Sequence, residues 1–188
     1  MKQNSTRGNI VEAADRLFYE KGFEKTSFAD IADTVNISRG NFYHHFKSKD
    51  EILHAVIDSR LAKTGDLLNR WEQENANPDD RIRCFINILI MNRVKIKKYG
   101  CPVGTLCAEL AKLSHEAQPQ ANKLFTLFRN WLKRQFILLG RKKDADQLAL
   151  HLLARSQGVA SLANAFKDEK FIRQEVEIMH NWLNTYLS

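Results

Sequence analysis

The chain has 188 residues, 44% of them apolar, which is enough to bury a core in one or two small domains. Its net charge of +7 favours a polyanion as partner. Three irregularly spaced cysteines argue against a secreted disulfide framework, and the chain lacks a signal-peptide pattern and an apolar span of the ~20 residues that cross a bilayer. We therefore expect a cytoplasmic protein without a membrane partner.

Three helices are predicted near the N-terminus. Apolar residues recur at three- and four-residue steps over residues 6–21, and a second helix starts at Ser27 in a capping-box pattern. Asn36 supplies a turn, after which Ser38 is suited to cap a third helix. Because Ser48 is suited to cap the next helix, the third helix spans only about two turns. The side chains expected to form the core of this segment are Phe18, Phe23, Phe28, Ile31, Val35, Ile37, Phe42 and Phe46.

The short third helix has the composition of a helix that reads DNA. It carries Arg39, Gly40 and Asn41 and has no room for a broad apolar stripe, so its exposed side is free to enter a major groove. Residues 1–60 hold nine basic and nine acidic residues, whereas residues 36–49 hold three basic residues, two histidines and no acidic residue. Affinity for DNA phosphates depends on that local face. The pattern indicates a helix-turn-helix with a recognition helix.

The remainder of the chain is predicted to be helical. A long helix begins at Ser48 and continues to residues 75–80, where Asn, Pro and Asp residues are typical of a loop. Apolar-periodic segments follow at residues 81–98, 102–113, 119–139, 144–166 and 168–187. No strand pattern competes with them. The predicted fold class is all-α, with a three-helix helix-turn-helix head, a larger helical domain and about nine helices.

A set of residues in the N-terminal quarter forms a recognisable family pattern. Its members are Leu17, Phe18, Gly22, Phe23, Thr26, Ser27, Ile31, Ala32, Val35, Ser38, Gly40, Tyr43, His44, His45, Phe46, Ser48 and Lys49. Through them, roughly residues 7–53 resemble the TetR family of bacterial transcriptional regulators. The resemblance implies a DNA-binding domain at residues 1–47 and a ligand-binding and dimerisation domain at residues 48–188. It also implies a homodimer that binds a double-stranded DNA operator, represses transcription until a small-molecule inducer releases it, and needs no cofactor.

The same resemblance implies which residues touch DNA. They are Ser27, Ser38, Arg39, Gly40, Asn41, Tyr43, His44 and Lys49. Base chemistry agrees, because Arg39 can pair with guanine O6 and N7, Asn41 can pair with adenine N6 and N7, and Gly40 allows close approach. Lys49 would add its charge where a helix N-terminus already attracts phosphate. The alternative for Tyr43 and His44 is that they only fill the gap between the third and fourth helices.

The last two predicted helices are the expected dimer interface. Members of the family pair through two late helices, and this chain ends with two helices that each carry an apolar stripe. The stripes consist of Leu148, Leu152, Arg155, Val159, Leu162 and Phe166, and of Phe171, Ile172, Val176, Met179, Leu183 and Tyr186. Two heads one helical turn apart, ~34–36 Å, would read a near-palindrome. Alternatively, both stripes pack only within the monomer.

The segment of residues 100–110 carries a possible thiol sensor. Its Gly-Cys-Pro opening resembles a subgroup of these regulators in which a cysteine senses electrophiles or oxidants, and a thiol at a helix N-terminus close after Lys98 favours the reactive thiolate. The predicted sensing or ligand-lining residues are Cys101, Cys107, Met91, Leu106, Phe128 and Trp131. For most of the apolar members the favoured alternative is ordinary core. Cys84, in an apolar helix, is expected to be inert.

The sequence also bears on two other classes of protein. An enzyme is disfavoured because the sequence assembles no catalytic residues, metal-ligand spacing or phosphate-binding glycine loop, so no catalytic residue and no metal site are predicted. The near-neutral first sixty residues keep open a ligand- or partner-binding dimer that has lost specific DNA reading.

Overall fold

The computed structural model describes residues 5–187, with the side chain of Arg39 outside the description. These residues form ten helices and no strand, so the all-α prediction is confirmed. The helices are α1 (Thr6–Lys21), α2 (Phe28–Val35), α3 (Arg39–His45), α4 (Lys49–Glu74), α5 (Pro78–Met91), α6 (Arg93–Tyr99), α7 (Pro102–Lys112), α8 (Gln118–Leu138), α9 (Ala145–Phe166) and α10 (Glu169–Asn184). None of the helices in this range is long and apolar enough to cross a membrane.

The N-terminal helix boundaries follow local capping chemistry. α1 ends at Gly22, whose φ of 94° lies in a region that favours glycine. α2 begins after the predicted capping box at Ser27 and ends at Asn36 in the left-handed conformation, with φ 53°. Ser38 caps α3 by accepting the amide hydrogen of Asn41. Ser48 likewise accepts the amide hydrogen of Glu51 at the start of α4, 3.1 Å away.

One predicted helix is divided in the structure. The expected segment at residues 81–98 is interrupted at Asn92, so α5 and α6 are separate where a single helix was predicted. Asn92 has φ −104° and ψ 8°, which is not helical geometry. Its side chain donates to the carbonyl of Ile88, and such local bonding competes with the helix ladder.

The first of two compact units comprises Met1–Lys63 and Thr105–Leu124. Five of the eight predicted core residues of the head are buried, while Phe28, Val35 and Ile37 are partly buried. Arg60 of α4 donates through Nε to Asp15 Oδ1 of α1 at 2.6 Å, an ion pair in which the arginine side chain is 9% exposed. The predicted functional boundary after residue 47 remains a prediction.

The second unit comprises Thr64–Gly104 and Phe125–Ser188. α10 packs against α5 and α9, and α6 packs against α9. Aromatic rings fill much of the interior, including Trp71 against Trp131 with centroids 5.6 Å apart and Phe136 against Trp182 at 6.2 Å. Such pairs add specificity to the large apolar area that each ring buries.

Candidate nucleic-acid interface

Hydrogen bonds between Ser27 and Asp30 hold the start of α2. Ser27 Oγ accepts the amide hydrogen of Asp30 at 3.1 Å, and Asp30 Oδ2 accepts the amide hydrogen of Ser27 at 2.8 Å. The Ser27 hydroxyl also donates to Asp30. These bonds from Ser27, with a smaller contribution from Lys21, lower the pKa of Asp30 to about 2. The carboxylate therefore fixes Ser27 at the exposed N-terminus of the helix.

α3 presents most of its predicted DNA-contacting residues to solvent. Gly40, Asn41 and His44 are exposed, and a Cβ added at Gly40 would meet nothing within 4 Å. Ser38 is exposed as well, although its oxygen is already used as the helix cap. The side chain of Arg39, the predicted guanine reader, lies outside the description.

Tyr43 joins the surfaces of α2 and α3. Its side chain is 49% exposed, and its ring lies 5.5 Å from that of Phe28. Together with Ser27 it lines a shallow groove of about 240 Å³, whose remaining wall is formed by Phe28, Ala29, Ala32 and Phe42. The structure therefore brings two of the predicted DNA-binding residues, one from each helix of the motif, to a single concave surface.

Lys49 lies differently from its predicted role. Its Nζ donates to the carbonyl oxygens of Phe23 at 3.0 Å and Glu24 at 3.3 Å, and lies 4.2 Å from the centroid of the Phe23 ring. The ammonium thus binds the connection between α1 and α2. A contact with phosphate would require it to leave these carbonyls, so the predicted phosphate role remains a prediction.

A carboxylate outside the predicted site residues binds the same connection. Glu109 of α7 accepts the amide hydrogens of Phe23 at 2.9 Å and Glu24 at 3.0 Å. Glu109 belongs to the segment singled out for Cys101, but no local pattern pairs it with residues more than eighty positions away. Gly22 is a signal in the sequence, because glycine is often required where another group comes close to the backbone. The glycine does not indicate which residue supplies that group.

The three cysteines occupy different settings. Cys101 directly precedes α7 and is half-buried, and its sulfur accepts the amide hydrogen of Gly104 at 3.5 Å. Cys107 is buried in the same helix. Burial raises the pKa of the Cys84 thiol, in agreement with the inert role expected for it. Whether Cys101 senses electrophiles remains a prediction.

Met91 does not fit the predicted ligand-lining role, because its side chain is 72% exposed. The buried face of α5 consists of Ile82, Phe85, Ile86 and Leu89, and a residue two positions beyond Leu89 points to the opposite side of a helix. Leu106 is buried in the first unit, whereas Phe128 and Trp131 are buried in the core of the second.

The apolar stripes predicted for dimerisation are largely used within the monomer. Most of their members are buried, including Leu148, Leu152, Val159, Ile172, Val176, Met179 and Leu183. The interface residues named from periodicity were therefore mostly wrong, because one helix face serves the core. Two members of the first stripe, Leu162 and Phe166, are exposed, as are Leu150 of α9 and Ile178 of α10, which the stripes did not include.

Comparison with known proteins agrees with this geometry. Residues 10–56 match the sequence profile described as bacterial regulatory proteins of the tetR family. An HTH-type transcriptional regulator from the lacX 3′ region of Lactococcus lactis subsp. lactis is 28% identical over 93% of this chain and 91% of its own length. TtgR, an HTH-type transcriptional regulator of Pseudomonas putida, is 40% identical over 85 residues. The matched segment is 45% of this chain and 40% of TtgR.

The fold of the whole chain also has a counterpart among solved structures. The crystal structure of a TetR transcriptional regulator from Legionella pneumophila superposes with a TM-score of 0.85 and covers 100% of both chains at 24% sequence identity. The matched profile contains the helix-turn-helix of α2 and α3, where Ser27 and Tyr43 line one groove. Residues 10–56 therefore belong to the tetR family of bacterial regulatory proteins.

Proposed function

We propose that this TetR-family transcriptional regulator is a repressor that binds a near-palindromic operator as a homodimer and leaves it when a small molecule or thiol modification alters the protein. The observation that carries the proposal is the exposed surface of α2 and α3, where Ser27 and Tyr43 line one groove beside the exposed Asn41. A short recognition helix that has glycine at position 40, on its exposed side, can approach a major groove closely at that point.

The residues on this surface divide into two roles. Arg39 and Asn41 read base edges through paired hydrogen bonds, and Gly40 lets the backbone approach. Tyr43 and His44 contact the sugar-phosphate backbone and set the register of the helix, while Ser27, Ser38 and the amides near them bind phosphate at helix N-termini. Phosphate contacts supply affinity, and base contacts supply sequence preference.

A homodimer through α9 and α10 would supply the second head. Leu162 and Phe166 lie one helical turn apart on α9 and are 45% and 74% exposed. Large exposed apolar side chains grouped on one face are typical of a protein interface. A dimer also raises the affinity of each small head, since the second half-site binds at high effective concentration.

Release follows from a two-state equilibrium. A ligand, or a modified Cys101, favours a spacing of the two heads that no longer matches successive major grooves, so operator affinity falls. For a ligand, the largest possible fall is set by the ratio of the ligand's affinities for the two states of the protein. This regulator would act in the cytoplasm, on chromosomal DNA, and without enzymatic activity.

The proposal is tested by fluorescence anisotropy at two salt concentrations. A duplex from upstream of the protein's own gene, or one selected from random sequences, is compared with a scrambled duplex. We expect a preference of ~10³ or more, with one or two dimers per duplex. Tyr43→Ala should weaken binding to both duplexes, whereas Arg39→Ala should also relax preference at one base pair. Equal losses for Arg39→Ala on both duplexes would refute its role in base reading.

The second candidate is a ligand- or partner-binding dimer that no longer reads DNA. It is favoured by the balance of nine basic and nine acidic residues in residues 1–60, which gives the head little net attraction for DNA. In that case a selection from random sequences would enrich no motif, and binding would vanish uniformly as salt rises.

A further inference from the structure

The connection between α1 and α2 has its backbone polar groups bound by side chains from outside it. The amide hydrogens of Phe23 and Glu24 are donated to Glu109, and their carbonyl oxygens accept from Lys49. We call Phe23, Glu24, Lys49 and Glu109 the loop clasp. Bonds between an ionised side chain and backbone groups are stronger than neutral ones, so the clasp fixes a segment that would otherwise be bound by water.

The fit at Glu109 is close. A Cβ built at Gly22 would lie 2.9 Å from Glu109 Oε1, a distance that real Cβ atoms essentially never show, so a side chain at position 22 would have to displace the carboxylate. His115, in the turn after α7, adds a second contact by placing its ring 5.1 Å from that of Phe23. Its Nε2 also lies 3.2 Å from Asp50 Oδ1 of α4. The end of α7 and the following turn are therefore joined to the head at two places.

The clasp leads directly to the DNA-facing helix. Thr26 is 1% exposed and donates its hydroxyl hydrogen to the carbonyl of Gly22 at 2.7 Å, which closes the connection just before Ser27. Ser27 then starts α2 through its capping box. A shift of the connection at Phe23 and Glu24 would move the first turn of α2 and, with it, the groove that Tyr43 shares.

α7 runs from the thiol-bearing segment to the clasp. Its first residues, Pro102–Gly104, belong to the second compact unit, and the helix from Thr105 onward belongs to the first. Glu109 follows Pro102 by seven residues, which is about 10 Å along a helix axis. Regular secondary elements such as α7 are rigid enough to carry coupling along their length.

From this arrangement we propose that Glu109 is a positioning residue for DNA binding: its carboxylate holds the α1–α2 connection in the arrangement that binds the operator and makes that arrangement depend on the position of α7. Glu109 lies outside residues 10–56, the segment matched by the family profile. The inference rests on the proposed function, because it assigns the regulation of the same DNA-binding head.

Two variants and one matched control test it in the full-length protein. Glu109→Ala removes both acceptors, Glu109→Gln keeps the volume and one acceptor oxygen, and Glu116→Gln neutralises an exposed glutamate in the turn after α7. The first readout is hydrogen exchange at the amides of Phe23 and Glu24. The second is the affinity for the selected operator and for a random duplex, with thermal unfolding used to verify that each variant is folded.

We expect exchange at both amides to accelerate about tenfold in Glu109→Ala and less in Glu109→Gln, and operator affinity to fall in the same order, about tenfold for the alanine variant. Affinity for the random duplex should change less than twofold, because the basic residues and phosphate contacts remain. Glu116→Gln should match the wild type in every readout. Glutamine has nearly the same shape as glutamate. If the alanine variant does not fold, the exchange rates and operator affinity of Glu109→Gln therefore test the proposal.

Three results would overturn the proposal. Unchanged exchange at both amides would show that the clasp does not hold the connection. Faster exchange with unchanged operator affinity would show that the clasp is only structural. If the wild type enriches no sequence from a random pool, the proposed function itself fails, and the clasp has no operator binding to control; the exchange data still reveal whether the clasp forms, so the two failures are distinguishable.

Discussion

The buried ion pair between α1 and α4 gives a stability prediction that can be worked from distances and exposure. Arg60 Nε lies 2.6 Å from Asp15 Oδ1, and the side chains are 9% and 25% exposed. Removing one partner of a fully buried pair costs about 3–5 kcal/mol, because a charge is left without compensation. Since a quarter of Asp15 is open to water, and asparagine can still accept one bond from Arg60, we expect Asp15→Asn to cost about 2 kcal/mol.

The assay is thermal and urea unfolding at pH 7 and a fixed protomer concentration, because the proposed dimer would make stability depend on concentration. A loss of about 2 kcal/mol corresponds to a fall of about 4–8 °C in melting temperature for a chain of this size. Asp66→Asn, which removes the same charge from an exposed site on α4, is the control and should change stability by less than about 0.5 kcal/mol. Equal effects of the two substitutions would refute the reasoning.

Three further predictions concern the DNA-binding head and the thiol. Lys49→Ala should lower the melting temperature, because Nζ donates to the carbonyls of Phe23 and Glu24. A slope of log affinity against log salt that is smaller by about one would in addition establish the predicted phosphate contact, and an unchanged slope would contradict it. The lowered pKa of Asp30 means that the folded state binds this proton less tightly than the unfolded state, so its stabilising contribution is present above pH ~4 and is lost as the pH falls towards about 2. Asp30→Asn should remove that part of the acid dependence of unfolding, and NMR titration of the Asp30 carboxyl carbon measures the pKa directly. Alkylation with N-ethylmaleimide of a variant that retains Cys101 as its single cysteine should lower operator affinity, and an unchanged affinity would end the sensing proposal.

The head could be predicted from sequence to the extent that its structure depends on neighbours three or four residues apart. The capping box at Ser27, the left-handed turn at Asn36 and the cap at Ser38 each involve groups within one helical turn, and all three are present in the structure. Such motifs are readable because the donor, the acceptor and their spacing are all contained in one short segment.

Hydrophobic periodicity predicted less well which surface each apolar side chain packs against. It identified the apolar residues of the last two helices but not which of them face the core, so Leu152, which is buried, was assigned to the same interface stripe as Leu162 and Phe166, which are exposed. The break at Asn92 was missed for a related reason, since the apolar pattern continues across it and only backbone geometry reveals it. A hydrophobic pattern indicates that a helix face is buried, but it does not indicate whether the same chain or a second copy covers that face.

The α1–α2 connection marks the limit of sequence reasoning most clearly. Phe23 was correctly expected in the core, but a buried aromatic ring in a loop brings its own backbone amide and carbonyl away from water, and those groups must find partners. The amide of Phe23 donates to Glu109, 86 positions along the chain, and its carbonyl accepts from Lys49, 26 positions along, as well as from the nearby amide of Thr26. The loop is therefore held in part by distant charged side chains and is weakened when they move. The demand for hydrogen bonds at Phe23 and Glu24 thus makes the position of a DNA-binding helix depend on a helix outside the head.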